Sequence, residues 1–164
     1  SDIVLDAGTN ATGYNFGELA SSLSGRVYAD NNLNAVYNAD TDRPISGVTV
    51  RLQDNATGQI VRTTTTATDG TYAFLDLPAG NYTVIETQPP FPTTRIPPNA
   101  DPLTFVGNEF YDGADNPGNL GGDVVASGPG KNEIRNITLG LAQDGVDYNF
   151  GELPPADPFG FVYI

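Results

Sequence analysis

The stretch Gly47-Val48-Thr49-Val50-Arg51-Leu52-Gln53 sets the fold class, because apolar and polar residues alternate along it. Successive side chains of a β-strand point to opposite faces, so this pattern places one apolar set on one face of a strand. The same spacing recurs twice further along the chain. The predicted core is therefore Val48, Val50, Leu52, Tyr72, Phe74, Tyr82 and Val84.

Short periodic stretches separated by turn signals extend this pattern over most of the chain, which is the spacing of an all-β sandwich. Two turns between them, Asn55-Ala56-Thr57-Gly58 and Thr68-Asp69-Gly70, are predicted hairpin turns because of their Gly and Asx content. The predicted strands are 24–29, 47–53, 59–66, 70–75, 80–87, 134–139 and 146–151.

Composition limits the chemistry available to the chain. Its 164 residues include 20 acidic and 7 basic residues, for a net charge of −13, so nucleic acid and anionic membranes are poor partners. The chain lacks Cys and His, which leaves catalysis to carboxylates, Tyr or the single Lys131. No apolar run approaches the roughly 18 residues of a membrane span. We therefore expect neither an enzyme nor membrane insertion.

An internal repeat defines the domain organisation. Residues 3–5 and 14–19 (IVL and YNFGEL) recur at 137–139 and 148–153 (ITL and YNFGEL), at a constant offset of 134 residues. Just beyond each copy, Gly25-Arg26-Val27-Tyr28 corresponds to Gly160-Phe161-Val162-Tyr163. The predicted organisation has three parts: 1–19 as the C-terminal strands of a preceding repeat, 20–153 as one complete repeat with a long insertion at 88–133, and 154–164 as a linker and the first strand of the next repeat.

The repeat is also compatible with two different arrangements of the chain. It could be one domain whose edge strands merely look alike. Alternatively, residues 3–17 could complete the sheet of a neighbouring molecule by strand exchange. The expected partners are therefore neighbouring repeats of the same protein or identical subunits in a filament, and any host or glycan ligand is unidentified.

Several ordered motifs resemble the B-type repeats of serine-aspartate repeat adhesins, within the wider family of collagen-adhesin B-type domains. The motifs are residues 47–52 (GVTVRL), 66–74 (TATDGTYAF), 77–86 (LPAGNYTVIE), 111–115 (YDGAD), 118–122 (GNLGG) and 148–152 (YNFGE). The resemblance implies a prealbumin-like, immunoglobulin-type (Cna B-like) β-sandwich. It also implies an extracellular location on the bacterial cell surface, a spacer role, and calcium (Ca2+) bound in surface loops.

The loop from Asp30 to Asp42 has the oxygen-rich spacing of a calcium site. Oxygen side chains stand at its first, third and fifth positions, a backbone carbonyl is expected near the seventh, and acids follow near the end, which suits a hard cation with six to eight oxygen ligands. Ala35 stands where an EF-hand has Gly, and either Asn38 or Asp40 could coordinate. The alternative is an ordinary Asx-rich turn. The candidate ligands are Asp30, Asn32, Asn34, Asp40, Asp42 and the Val36 carbonyl.

Two further acidic groups are candidates for cation binding. Crowded carboxylates repel by up to roughly 4 kcal/mol per contacting pair at an effective dielectric near 20, so a cation among them would hold them together. Glu18 and Glu152, each following YNFG, could bind a cation at the joint between repeats; otherwise they are solvated strand ends. The second group, which could instead form a solvated acidic loop, comprises Asp112, Asp115, Asn116, Asn119 and Asp123.

Glu86 stands where collagen-adhesin B-type domains carry the acid that promotes an intramolecular Lys–Asn amide bond. Lys131 is the only lysine and lies in the insertion, not in the first strand. We therefore do not expect the crosslink, and predict Glu86 to be a hydrogen-bonding residue at a strand end.

Three functions are compatible with these patterns. The first is a calcium-stabilised structural repeat that acts as a rigid spacer in an extracellular bacterial fibre, stalk or adhesin. The second is a glycan- or protein-binding module that uses the insertion and its aromatic residues Phe91, Phe105, Phe110 and Tyr111. The third, a carboxylate-based hydrolase, is disfavoured because no acid is paired with a nucleophile.

Overall fold

A computed structural model describes residue 7 and residues 20–90, 110–125 and 132–154. Within those residues the chain forms strands and no helix, and so no helix capable of crossing a membrane. Seven strands have six to nine residues: β1 (Ser21–Ala29), β3 (Thr49–Asp54), β4 (Gln59–Thr65), β5 (Thr71–Leu77), β6 (Gly80–Glu86), β10 (Glu133–Leu139) and β12 (Tyr148–Leu153). Five have two residues: β2 (Arg43–Pro44), β7 (Tyr111–Asp112), β8 (Asn116–Pro117), β9 (Asp123–Val124) and β11 (Asp144–Gly145).

The strands form two sheets that enclose one core. In the first sheet β1 pairs with β5 in an antiparallel manner and with β12 in a parallel manner, and β2, β7, β8 and β11 extend these pairings. The second sheet has the order β4-β3-β6-β10-β9. This arrangement is an all-β sandwich, and it confirms the predicted fold class. The seven longer strands correspond to the seven predicted strands.

The predicted core is also confirmed. All seven residues chosen from the alternating pattern are at most 4% exposed. The structure adds residues from β1, β5, β10 and β12 to the same cluster: Leu23, Val27, Leu77, Ile134, Ile137, Leu139, Tyr148 and Phe150. Strand β4, in contrast, lies at a sheet edge and is mostly exposed on both faces.

One of the two predicted hairpin turns is wrong. The turn at 55–58 does join the antiparallel pair β3 and β4, with Gly58 at a φ of 71°. The turn at 68–70 instead connects β4 to β5, which belong to different sheets. A Gly at positive φ, here Gly70 at 78°, reverses the chain in both settings, so turn chemistry alone does not reveal whether the flanking strands pair.

The insertion at 88–133 contains more secondary structure than its lack of periodicity suggests. In its described part, β7 and β8 pair with β12, and β9 pairs with β10. Two-residue strands are too short to produce a periodic signal. Phe110 is buried and Tyr111 is half exposed, whereas Phe91 and Phe105 lie outside the described residues, so the aromatic surface considered for ligand binding stays a prediction.

The chain enters and leaves the unit at opposite ends of the first sheet. Because β1 and β12 are parallel and Ala29 pairs with Glu152, β1 begins at one end and β12 finishes at the other. Nine residues of strand span roughly 30 Å. We call the end where β1 and β12 finish the loop end, since the 30–42 segment and β7 lie there. The opposite end, where β1 begins, is the turn end, and it carries the turns at 55–58, 78–79 and 140–143. The segments 1–19 (except residue 7) and 155–164, on which the repeat-boundary prediction depends, lie outside the described residues.

Candidate calcium-binding loop and buried carboxyl cluster

The first half of the 30–42 loop is wound around the carboxylate of Asp30. This side chain is 2% exposed, and its oxygens accept backbone hydrogen bonds from Asn34 at 3.3 Å and Ala35 at 2.8 Å. The amide oxygen of Asn32 accepts one from Asn34 at 3.2 Å, and that of Asn34 accepts one from Val36 at 2.9 Å. The two Asn side chains form Asx turns, and together with the longer bonds to Asp30 they wind the backbone around the Asp30 carboxylate, whereas Asn32 and Asn34 themselves are exposed.

Asp42 closes the second half of the loop. Its side chain is 4% exposed and accepts backbone hydrogen bonds from Asn31 at 3.1 Å and Asn38 at 2.7 Å. Asn38 in turn donates from its side chain to the Val36 carbonyl at 2.7 Å. Asp40 is exposed, and none of the hydrogen bonds found among the described residues joins its side chain to this loop. Of the two residues left open by the sequence, Asn38 is thus the one bonded into the loop.

Two residues of the loop adopt the left-handed conformation. Leu33 has a φ of 59° and Ala35 a φ of 61°. Ala35 occupies the sixth position, where the EF-hand loop uses Gly for its sharp turn. Ala35 therefore has a positive φ at the position where the EF-hand uses Gly, and this conformation is unfavourable for an L-residue that has a Cβ.

Aromatic packing attaches the loop to β1. The Arg26 guanidinium lies 4.2 Å above the centroid of the Tyr37 ring, and the rings of Tyr37 and Tyr28 meet edge to face with centroids 5.4 Å apart. Since Arg26 and Tyr28 belong to β1, these contacts anchor the middle of the loop to the sheet. The loop is consequently positioned by β1 as well as by its own turns.

The donor set of this loop is oxygen-only and includes two buried carboxylates, which is the kind of site that a hard cation such as calcium binds. Across residues 20–90, 110–125 and 132–154, however, no three acidic side chains are arranged as a ready-made metal centre. The loop contains only two buried acids, Asp30 and Asp42. Its other candidate donors are the amide oxygens of Asn32 and Asn34 and the Val36 carbonyl, which are also ligands that calcium accepts. Its residues therefore fit the ion.

A second group of acids is buried between the two sheets. Glu152 on β12 is fully buried, accepts a hydrogen bond from the Gln88 side chain, and pairs with Asp112 on β7. A solvated strand end is therefore excluded for Glu152. Glu86 on β6 is 2% exposed, and both its carboxyl oxygens are buried without an N–H donor. The two glutamates come from opposite sheets.

The carboxyl groups of Glu86 and Glu152 contact each other, and this contact changes the protonation of Glu86. Burial raises its pKa well above the usual value, and the charge of Glu152, the hydrogen bond to Glu152 and the charges of Asp115 and Asp112 raise it further. Two carboxyl groups form a hydrogen bond only when one of them holds a proton. The pair can therefore retain a proton in the folded protein.

Glu86 was not predicted to belong to this cluster, although a signal was available. Tyr82, Val84 and Glu86 continue one period-two alternation, which points Glu86 into the core, and Phe150 and Glu152 do the same on β12. An acid at an inward position of a strand is unusual and marks a special environment. The inward direction was readable, but the meeting of the two acids was not.

The predicted group at 112–123 is divided by the structure. Asp112 and Asp115 act on Glu86, as described above. Asn119 lies elsewhere: its side chain accepts from the Val146 amide at 2.8 Å and donates to the Asp144 carbonyl at 3.0 Å. The remaining two residues also have local roles, since Asn116 accepts from the Gly118 amide at 2.9 Å and Asp123 accepts from the Asn136 side chain at 2.6 Å. Glu18, the last predicted ligand, lies outside the described residues.

The loop and the buried cluster lie on either side of Tyr28. Burial raises the pKa of the Tyr28 hydroxyl to about 12, with further contributions from the charges of Asp30, Asp42 and Asp115. The first two acids belong to the loop and the third to the cluster. Acids of both groups therefore act on the Tyr28 hydroxyl.

Known proteins share this sequence pattern. The sequence model of the SdrD B-like domain matches residues 21–100. Serine-aspartate repeat-containing protein D of Staphylococcus aureus (strain Newman) is 38% identical over 122 residues, which cover 70% of this chain and 8% of that protein. Colossin-B and Colossin-A of Dictyostelium discoideum are 36% and 35% identical over 102 and 83 residues, or 56% and 51% of this chain.

The chain thus spans less than a tenth of the length of these relatives: 8% of the staphylococcal protein, and 3% and 1% of the two colossins. Residues 21–100 include the wound loop and strands β1 to β6, which carry part of the core. This match and the two-sheet architecture agree, and residues 21–100 of the chain belong to the SdrD B-like domain family.

Proposed function

We propose that this chain is a calcium-stabilised structural repeat module that acts as a rigid spacer in an extracellular fibre, stalk or adhesin at the bacterial cell surface. The observation that supports calcium binding is the wound 30–42 loop, in which two buried carboxylates and two amide oxygens are oriented by backbone hydrogen bonds. Such a loop presents its oxygens before any ion arrives. Little further ordering is needed on binding, which favours affinity.

Asp30 and Asp42 carry the main electrostatic contribution in this proposal. Each is almost fully buried, and burial of an ionised carboxylate is costly unless it is paired. Backbone N–H groups satisfy part of this requirement, and a bound calcium ion supplies the opposite charge. Asn32, Asn34 and the Val36 carbonyl complete the oxygen shell. The folded loop is then stabilised by every ion that binds it and does not bind the unfolded chain.

The spacer role is supported by the direction of the chain through the unit. The parallel pairing of β1 and β12 places the two ends of the repeat at opposite ends of the sandwich, so successive units extend the chain rather than fold it back. The relatives are far longer than this chain, and the staphylococcal ones are named for a repeat. Without His or Cys anywhere in the sequence, and with its acids in structural positions, we expect no enzymatic activity.

The proposal is tested by thermal melting with excess calcium and with the chelator EGTA, together with calorimetric titration of calcium. Extracellular calcium modules bind with dissociation constants of about 10⁻⁴–10⁻³ M, and a hundredfold excess over the constant adds about 2.7 kcal/mol per site. We expect calcium to raise the melting temperature of the wild type and to have little effect on an Asp30→Asn, Asp42→Asn double variant.

The matched control is Asp147→Asn, which removes an exposed acid outside the loop at a position with a φ of 65°, where Asn is well tolerated. It should retain the calcium response. Equal melting temperatures of the wild type in calcium and in EGTA would exclude a structural role for calcium.

A further inference from the structure

The linkers between successive units are too short to keep the units apart. In the sequence only Ala20 separates the first YNFGEL from β1. After β12, only Pro154 and Pro155 precede residue 156. By the internal repeat, residue 156 corresponds to Ser21, the first residue of β1. Three peptide units span at most about 11 Å when fully extended. If each unit is one repeat of an array, the loop end of one unit must touch the turn end of the next.

The charges at the two ends are mixed. Asp40 and Arg43 are exposed at the loop end, where Arg43 pairs with Ala29, and Asp76 and Asp144 are exposed at the turn end. Arg43 attracts the acids of the next unit, whereas Asp40 repels them. Exposed ion pairs contribute little to stability, so apolar surface is the larger available source of attraction.

Large apolar side chains are exposed at both ends of the unit. At the loop end, Leu33 is 72% exposed and Tyr111 is 51% exposed. At the turn end, Leu75 is 64% exposed on the last part of β5, and Leu141 is 65% exposed in the turn whose Gly140 carbonyl accepts a hydrogen bond from Ser21. Burial of these side chains against each other would remove apolar area from water.

Leu33 is the most informative of the four residues. It combines high exposure with a φ of 59°, a conformation that an L-residue adopts at a cost in free energy. An isolated unit gains nothing from an apolar side chain that is held in this way and directed to solvent. A contact with another unit gives the side chain a role, because strained residues persist where surrounding structure or function requires them.

We propose that Leu33 and Tyr111 at the loop end of one unit pack against Leu75 and Leu141 at the turn end of the following copy. This inference rests on the proposed function as a repeat, and it names the partner surface. The contact is head to tail: the loop end of each unit packs against the turn end of the next. All units of the array therefore point in the same direction.

The test uses a chain with one additional unit, in which residues 1–155 are followed directly by residues 21–164, in the presence of calcium. The protein has no cysteine, so introduced pairs are the only thiols. Leu33→Cys in the first unit is combined with Leu141→Cys or Leu75→Cys in the second, and crosslinking by a short bismaleimide is followed over time. The matched control combines Leu33→Cys with Thr63→Cys, an exposed position on β4 towards the loop end of the second unit.

We expect at least one of the two pairs to crosslink about tenfold faster than the control, and insertion of ten Gly and Ser residues after Pro155 to reduce this rate towards the control value. Rates equal to the control for both pairs would overturn the proposal. Calcium-dependent melting of the 164-residue chain is measured separately. A calcium response without crosslinking refutes this contact alone, whereas crosslinking without a calcium response refutes only the calcium part of the proposed function.

Leu33→Asn provides a second measurement, because Asn tolerates positive φ and removes the apolar side chain. The 164-residue chain with this substitution should melt at or above the wild-type temperature. In the two-unit chain the same substitution should increase the maximum dimension measured by small-angle X-ray scattering, because the two units separate. An unchanged maximum dimension would contradict a role for Leu33 at the contact.

Discussion

The backbone amide of Asp30 donates a 2.8 Å hydrogen bond to the carbonyl oxygen of Glu152. The first acid of the wound loop is thereby joined to the strand that carries the buried glutamate, one residue beyond the Ala29–Glu152 pair of the parallel ladder. The loop and the carboxyl cluster are therefore joined through the backbone of β12. A change in charge at either site acts on a backbone that both share.

Removal of calcium should open the 30–42 loop to proteolysis before the rest of the unit. Without the ion, the carboxylates of Asp30 and Asp42 lose their counter-charge and the loop opens more often. Chymotrypsin should then cleave after Leu33 or Tyr37 at least tenfold faster in EGTA than in calcium, which corresponds to about 1.4 kcal/mol of local stability. Cleavage after Leu141, which is exposed in the turn at the other end, is the internal control. Equal acceleration at Leu141 would indicate global unfolding instead.

Ala35→Gly should stabilise the unit. Ala35 has a φ of 61°, a conformation that costs an L-residue about 1–2 kcal/mol and costs Gly almost nothing. The greater freedom of Gly in the unfolded chain removes about 0.4–1 kcal/mol of this gain. We expect a net increase of about 0.5–1 kcal/mol in the free energy of unfolding, measured by urea denaturation.

The control for this substitution is Ala73→Gly on β5, at an exposed strand position outside the set of residues with positive φ. There the same change should cost about 0.5–1 kcal/mol. A loss of stability at position 35 as large as that at position 73 would show that the left-handed conformation is not strained.

Glu86→Gln should change the pH dependence of stability. The folded state raises the pKa of Glu86, so it binds this proton more tightly than the unfolded chain. The stabilisation from the proton is complete below the ordinary pKa of 4.5 and is lost as the pH rises through the raised folded value. In EGTA, the wild type should therefore lose stability relative to the variant as the pH rises above 4.5, as measured by denaturant titration at each pH.

Calcium provides the complementary control for Glu86. A cation near the cluster favours the ionised carboxylates, so excess calcium should reduce the difference in pH dependence between the wild type and Glu86→Gln. Parallel stability profiles of the two proteins in EGTA would contradict the raised pKa.

Gly25→Ala should destabilise the sandwich severely. A Cβ at this position would lie 1.8 Å from the Tyr148 carbonyl oxygen and 2.8 Å from the Tyr72 hydroxyl. These atoms cannot move apart easily, because the Tyr72 hydroxyl donates a buried 2.6 Å hydrogen bond to that carbonyl. We expect a loss of about 3 kcal/mol or more in the free energy of unfolding. Ser24→Ala, at the neighbouring half-buried position, should change it by less than about 1 kcal/mol.

The sequence by itself determined the strands and the core, because the signal for both is local. Alternation with a period of two identifies an inward face within a single strand, as for Val48, Val50 and Leu52, and no knowledge of the partner strand is needed. Part of the wound loop was also predictable, since Asn32 and Asn34 each accept a hydrogen bond from the backbone amide two residues on, as in an Asx turn.

The tertiary structure alone decided which groups meet across the sandwich. Glu86 and Glu152 are 66 residues apart and belong to different sheets, so their contact depends on how the sheets pack. The same reason explains the turn at 68–70, which crosses between sheets, and the separation of Asn119 from Asp112. Each of these outcomes is set by strand pairing over long sequence distances, where the free energy comes from burial of the whole core and not from the residues that are brought together.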